Sequence, residues 1–245
     1  MGALVEGPAP AKVERLQLAS ASGGVPVFHA RPDDHSGLGV VVHPDILGIR
    51  PLFDDLCRRL ATYGLAVCAP EPFARIDEHE RSGLDAAARM ERVKDLDDDE
   101  QLGDLGAAGE LLRRDDGVER VAMLGFCMGG MYTLKASGSG HFDRAVAFYG
   151  MLRLPEAWRG PGQGEPLAAV TGACPTLAIF GGADPWTPIA DIEALRAEWR
   201  DHPEHEIVVY DDADHGFVHD PERPAHRADD AADAWRRALT FLGVR

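Results

Sequence analysis

The sequence predicts an α/β fold: a mostly parallel central sheet with an N-terminal antiparallel hairpin and helices on both faces. Three observations predict it. Short, wholly apolar runs recur from Leu38 onward, as strands buried on both faces require. Between them lie segments with apolar residues at helical spacing. The alternation runs to the C-terminus with no internal repeat and no low-complexity segment, which suits one continuous sheet.

Residues 1–12, rich in Ala, Gly and Pro, read as a loose tail, and residues 13–245 as a single domain. "VERLQL", with Val13, Leu16 and Leu18 apolar, and "VPVFHA" flank a "GG" and read as a hairpin at the sheet edge. Pro26 suits an edge strand because it has no N–H to give to a second neighbour. "LGVVV" is a buried strand and "HPDILGIRP" a loop. "LFDDLCRRLATYG" places Leu52, Phe53, Leu56 and Leu60 on one stripe and stops at Gly64. "LAVCAP" is a strand, followed by a polar stretch from Glu71 to Glu100 whose charge run "KDLDDDE" reads as a solvated loop or helix start. "EQLGDLGAAGELLRR" is a helix, "VERVAMLGF" a strand, "MGGMYTLKAS" a helix and "RAVAFYG" a strand. A Gly/Pro-rich surface connector leads to "PTLAIFGGADPW", a strand and loop. "TPIADIEALRAEW" is a helix with Thr187 as N-cap and Pro188 in the first helical position. "HEIVVYDDADHGF" is a strand and loop, and Arg223 to Leu242 the last helix.

Composition narrows the function. The formal net charge of −16, with no Lys/Arg cluster, argues against a nucleic-acid backbone or an anionic membrane as partner. Cys57, Cys68, Cys127 and Cys174 are scattered without a CxxC pair, so neither a disulfide framework nor a metal is expected, and no cofactor motif appears. The first residues carry no basic and apolar signal pattern, and no run reaches about 18 apolar residues. A cytoplasmic protein, monomer or homodimer, is the expectation.

The chemistry concentrates at strand ends. "GFCMG" places Cys127 between Gly125 and Gly129, after a strand and before a helix, the context of a nucleophile elbow. The glycines give clearance at a sharp turn, and the Met128 N–H at the helix start is free to donate to an oxyanion. An α/β-hydrolase triad runs nucleophile, acid, histidine, and here Cys127, Asp184 and His215 follow that order, each just past a strand. Each also has a plain structural reading: Cys127 as a buried thiol, Asp184 as a cap of the turn before Pro185, His215 as a solvated loop histidine. In the catalytic reading His215 takes the thiol proton, Asp184 orients the imidazole, and Cys127 attacks an acyl carbonyl.

"GFCMGG", "FGGADPWTP", "DADHGF" and "FDRAVAFYG" together resemble the dienelactone hydrolase (carboxymethylenebutenolidase) family, over about Val13 to Leu242. The resemblance implies an α/β-hydrolase fold without a large cap domain, and hydrolysis of a small ester or lactone through a thioester acyl-enzyme. It also implies a second oxyanion donor in "HPDILG", the N–H of Ile46, beside a carboxylate that helps activate the thiol. That carboxylate is a glutamate in the family and Asp45 here. Substrate-binding arginines are implied after the histidine, where His219 stands, and near residue 86, where Ala86 has Arg89 and Arg92 close by. Phe148 and Tyr149 are candidates for the pocket wall. Two other readings stay open: a thiol that binds a ligand or senses oxidation without turnover, and acyl transfer in place of hydrolysis.

Overall fold

An N-terminal pair of ten-residue segments and the later apolar runs of five to seven residues become the strands, and the periodic segments between the later runs become the helices that cover them. The computed structural model describes residues 4–244. Its eight strands are β1 (Ala11–Ser20), β2 (Gly23–Pro32), β3 (Leu38–His43), β4 (Ala66–Pro70), β5 (Arg120–Phe126), β6 (Arg144–Phe148), β7 (Thr176–Gly181) and β8 (Glu206–Tyr210). They form one sheet in the order β1-β2-β4-β3-β5-β6-β7-β8. Pairings β1/β2 and β2/β4 are antiparallel, and all the others are parallel.

The helices are α1 (Pro51–Ala61), α2 (Glu78–Ser82), α3 (Ala86–Arg92), α4 (Asp98–Asp115), α5 (Met128–Ser137), α6 (Pro166–Ala169), α7 (Ile189–Glu198) and α8 (Ala228–Leu242). Helices α1 and α8 cover one face, where Phe53 and Trp235 pack against Phe126 of β5. On the other face α5, α6 and α7 share a cluster of Leu134, Val170, Ile192 and Leu195 over Ala178 and Phe180 of β7. Burying β3 to β7 on both sides explains why they read as continuous apolar runs rather than alternating ones. Among the described residues, no helix is long and apolar enough to cross a membrane, and all four cysteines are free.

Four local expectations are corrected. Strand β2 is an inner strand, not an edge. Its pairing with β4 covers only Val27 to Ala30, so Pro26 sits just beyond it and needs no second N–H partner. Thr187 does not cap α7. Pro188 occupies that position, and the Thr187 hydroxyl turns inward, 3.5 Å from the Gly150 carbonyl. Helix α8 begins at Ala228 rather than Arg223, because Pro224 interrupts the segment before it. The expected loose tail is tied down where it is described: β1 starts at Ala11, Leu4 is buried, and the Gly7 and Ala9 N–H groups donate to Thr62. Residues 1–3 lie outside the described residues. Helix α4 begins within the charge run, where the Asp97 carboxylate accepts from the N–H groups of Asp99 and Glu100.

Candidate active site

Strand β5 ends at Phe126 and α5 begins at Met128, so Cys127 alone makes the turn. It does so with φ 57 and ψ −119, a left-handed conformation that a side chain resists. The turn is held from both sides. The Cys127 N–H donates to the Phe148 carbonyl at 3.0 Å, and the Cys127 carbonyl accepts from Met131 at 2.9 Å. The flanking glycines are required by close approach. A Cβ at Gly125 would lie 2.1 Å from the Gly129 oxygen, and one at Gly129 would lie 2.2 Å from the His43 oxygen. Packing thus seats the start of α5 directly against the end of β3.

His215, in the loop after β8, meets Asp184, in the loop after β7, with Nδ1 2.8 Å from Oδ2. The other Asp184 oxygen accepts the Trp186 N–H at 2.8 Å, which fixes the carboxylate. Asp214, the neighbouring acid, is used locally by accepting the His215 backbone N–H. Burial pulls the His215 imidazole down, but the charge of Cys127 and hydrogen bonds to Asp184 and Cys127 outweigh it and raise it to about 10. Cys127 and His215 are each 9% exposed. A cleft of about 540 Å³ opens beside His215, walled by Trp186, Pro185, Asp214 and Arg223.

The loop after β3 completes the surroundings. The N–H groups of Met128 and Ile46 donate to no acceptor among the described residues, leaving two donors on the touching ends of α5 and this loop. Asp45, next to Ile46, is buried and fully engaged. Its oxygens accept from Arg50 at 2.6 and 2.8 Å, from the Leu47 N–H at 3.0 Å, and from His219 Nε2 at 2.8 Å. Burial opposes ionisation there, yet the His219 and Arg50 donors hold the carboxyl well below the usual carboxylate range.

The sequence pattern of the Dienelactone hydrolase family matches residues 25–244. The chain belongs to the dienelactone hydrolase family. It is 33% identical over 230 residues to the "Putative carboxymethylenebutenolidase" of Escherichia coli, covering 92% of this chain and 84% of that protein. It is 28% identical over 238 residues to the carboxymethylenebutenolidase of Rhodococcus opacus, covering 96% of this chain and 92% of that one. The crystal structure of the "Putative Dienelactone Hydrolase" of Klebsiella pneumoniae superposes with a TM-score of 0.86 at 28% identity, covering 96% of this chain and 99% of that one. The fold is therefore the α/β-hydrolase fold, and the protein is an ester or lactone hydrolase of dienelactone hydrolase type.

As a dienelactone hydrolase family member the chain brings Cys127, His215, Asp184, Met128 and Ile46 to one end of the sheet, but other expected residues make contacts different from those expected. Asp45 turns to Arg50 and His219, and its hydrogen bonds do not include Cys127. His219 is buried between Asp45 and Tyr149 instead of facing a substrate. Phe148 is core, stacked on Phe126 at 4.7 Å and tilted against Trp235 at 5.1 Å. Tyr149 is fully buried, with its ring edge-on to His215 at 5.2 Å. Arg89 lies 3.4 Å from the Glu71 carboxylate and lines a separate cleft with Arg15, Pro26 and Arg81.

Three residues near the site carried no sequence signal. Arg50 precedes α1 as an ordinary loop cation. Trp186 is 39% exposed beside His215 and stacks on Trp158. Arg223 lies in a proline-flanked loop, yet its guanidinium would touch a Cβ at Gly216, and it pairs with no carboxylate among the described residues. Only the fold brings Trp186 and Arg223 to the cleft and Arg50 to Asp45.

Proposed function

We propose that the protein hydrolyses a small ester or lactone by covalent catalysis at Cys127. His215 is the acid–base partner and Asp184 the group that orients it. The observation that carries this reading is the His215–Asp184 contact of 2.8 Å beside a cysteine on a left-handed elbow. Asp184 occupies Nδ1, so Nε2 is the nitrogen left for the thiol.

In the acylation step the Cys127 sulfur attacks the carbonyl carbon, and the thiol proton resides on His215. The carbonyl oxygen takes up the negative charge, where the Met128 and Ile46 N–H groups and the positive end of α5 stabilise it. Collapse of the tetrahedral species expels the alkoxide or ring oxygen, which takes the proton from His215. The result is a thioester on Cys127. Water, losing a proton to His215, then attacks the thioester, and the sulfur leaves with that proton restored. The buried site and the neutral balance of the cycle require no metal or cofactor to be invoked.

Replacing Cys127 by Ala should lower kcat on an aryl ester by roughly 10⁴–10⁶-fold. Full activity in Cys127→Ala would sink the reading. Labelling of Cys127 by iodoacetamide without hydrolysis of any ester or lactone would favour the thiol-sensing alternative.

One observation favours an anionic substrate. Arg223 is the cation on the cleft beside His215 that no carboxylate neutralises among the described residues. Arg223→Leu should then raise KM for a carboxylate-bearing lactone and leave KM for a neutral aryl ester unchanged. Equal effects on both substrates would remove that preference.

A further inference from the structure

We infer that Tyr149, His219 and Asp45 act together as a positioning relay for the hydrolytic centre, with His219 as its neutral middle member rather than a substrate ligand. The three residues come from three loops, after β6, after β8 and after β3. They form one buried chain: Tyr149 Oη lies 2.5 Å from His219 Nδ1, and His219 Nε2 lies 2.8 Å from Asp45 Oδ2. Arg50 closes the far end with two hydrogen bonds to Asp45.

The direction of each hydrogen bond follows from charge. Asp45 is ionised, so it can only accept, and His219 Nε2 must carry the proton. Burial, reinforced by the positive charges of Arg50 and Arg223, outweighs Asp45 and lowers the His219 pKa below 6.5, so the ring has no second N–H. Nδ1 therefore accepts, and the Tyr149 hydroxyl donates to it. Burial and the charges of Asp45 and Cys127 raise the Tyr149 pKa well above 10, which keeps that hydroxyl protonated.

What the chain holds is the geometry of the reacting groups. At one end Asp45 adjoins Ile46, the oxyanion donor of the proposed mechanism. At the other, Tyr149 packs its ring edge-on to His215 at 5.2 Å. Tyr149 also sits at φ 40, a strained backbone that its surroundings must enforce. Its neighbours Phe148 and Gly150 touch Cys127 and α5 respectively. Thus one hydrogen-bonded line fixes the imidazole wall and the oxyanion loop relative to each other.

The relay matters to catalysis only if Cys127 and His215 are the reacting pair, so its test has a part that needs no turnover. In the intact protein at neutral pH, ¹⁵N NMR should show His219 as the neutral Nε2–H tautomer. An Nδ1–H tautomer or an imidazolium would overturn the relay, whatever Cys127 does. In kinetics, Tyr149→Phe and His219→Leu should each lower kcat on an aryl ester on the order of 10-fold to 100-fold, with KM little changed. The double variant should match the worse single within about twofold, because both break one chain. His219→Gln, whose amide can still donate to Asp45, should recover part of the loss. Losses that multiply in the double variant, or wild-type kcat in Tyr149→Phe, would overturn it.

Discussion

Gly129 and His43 touch backbone to backbone, so closely that a Cβ on Gly129 would stand 2.2 Å from the His43 carbonyl oxygen. This contact seats the first turn of α5, and with it the Met128 N–H, against the loop that carries Ile46. Gly129→Ala must push the two apart. It should lower kcat on the order of 100-fold through misplacement, and cost about 1–3 kcal/mol of stability through overpacking. Gly103→Ala is the control. Gly103 is exposed within α4 and its Cβ would meet nothing, so that change should stabilise by roughly 0.5–1 kcal/mol with kcat unchanged. Steady-state kinetics and urea melts on both variants check the contrast.

His215 makes a prediction about pH. Its pKa in the folded protein is about 10, above the ordinary 6.5, because the Cys127 charge and Asp184 outweigh burial. The folded protein therefore keeps a proton that the unfolded chain gives up between these values. Stability from this source is complete below 6.5 and is lost as pH rises through about 10. In Cys127→Ala the largest influence raising the imidazole is gone. NMR titration should then find His215 titrating at distinctly lower pH than in the wild type. An unchanged titration would mean that the thiol does not face the imidazole.

Asp184 orients His215 by accepting from Nδ1, while its other oxygen is held by the Trp186 N–H. Asp184→Asn keeps the shape but offers an amide where a carboxylate is needed, which favours the wrong imidazole tautomer. It should lower kcat by roughly 10⁴-fold with little change in the melting temperature. Activity within a few-fold of wild type would leave Asp184 as a turn cap only.

Arg50 and Asp45 form a bidentate pair whose carboxylate is nearly inaccessible, at 4% side-chain exposure. Removing the cation leaves a buried charge with only His219 and one backbone N–H. Arg50→Ala should therefore cost about 3–5 kcal/mol, read by urea unfolding. Arg50→Lys should recover only part of it, because an ammonium cannot reproduce the two-pronged geometry. A near-neutral Arg50→Ala would show that the pair is not formed.

Much of this was legible in sequence because the signals are local. Val40 to Val42 and Leu177 to Phe180 read as buried strands because each run is apolar throughout and bounded by turn residues. Cys127, Asp184 and His215 could be singled out because each stands within a few residues after a strand, and parallel strands carry all three to the same end of the sheet. Pro26 misled because its position beyond the β4 pairing depends on where another strand stops. Thr187 misled because its hydroxyl found the Gly150 carbonyl across the fold. The same limit applied around the site. Asp45 was visible as a carboxylate in the loop after β3, but its partners lie five and 174 residues away, one of them far beyond local pattern. Arg89 was visible as a cation in the right segment, but Glu71, which engages it, is a contact made only on folding.

The covalent intermediate tests the central claim most directly. Wild-type protein should be mixed with an activated aryl ester, acid-quenched during turnover, and weighed by intact mass spectrometry. The account predicts a mass increase of one acyl group, mapped to Cys127, released by hydroxylamine and absent in Cys127→Ala. Full turnover by Cys127→Ala, or an adduct that maps to any other residue, would contradict it.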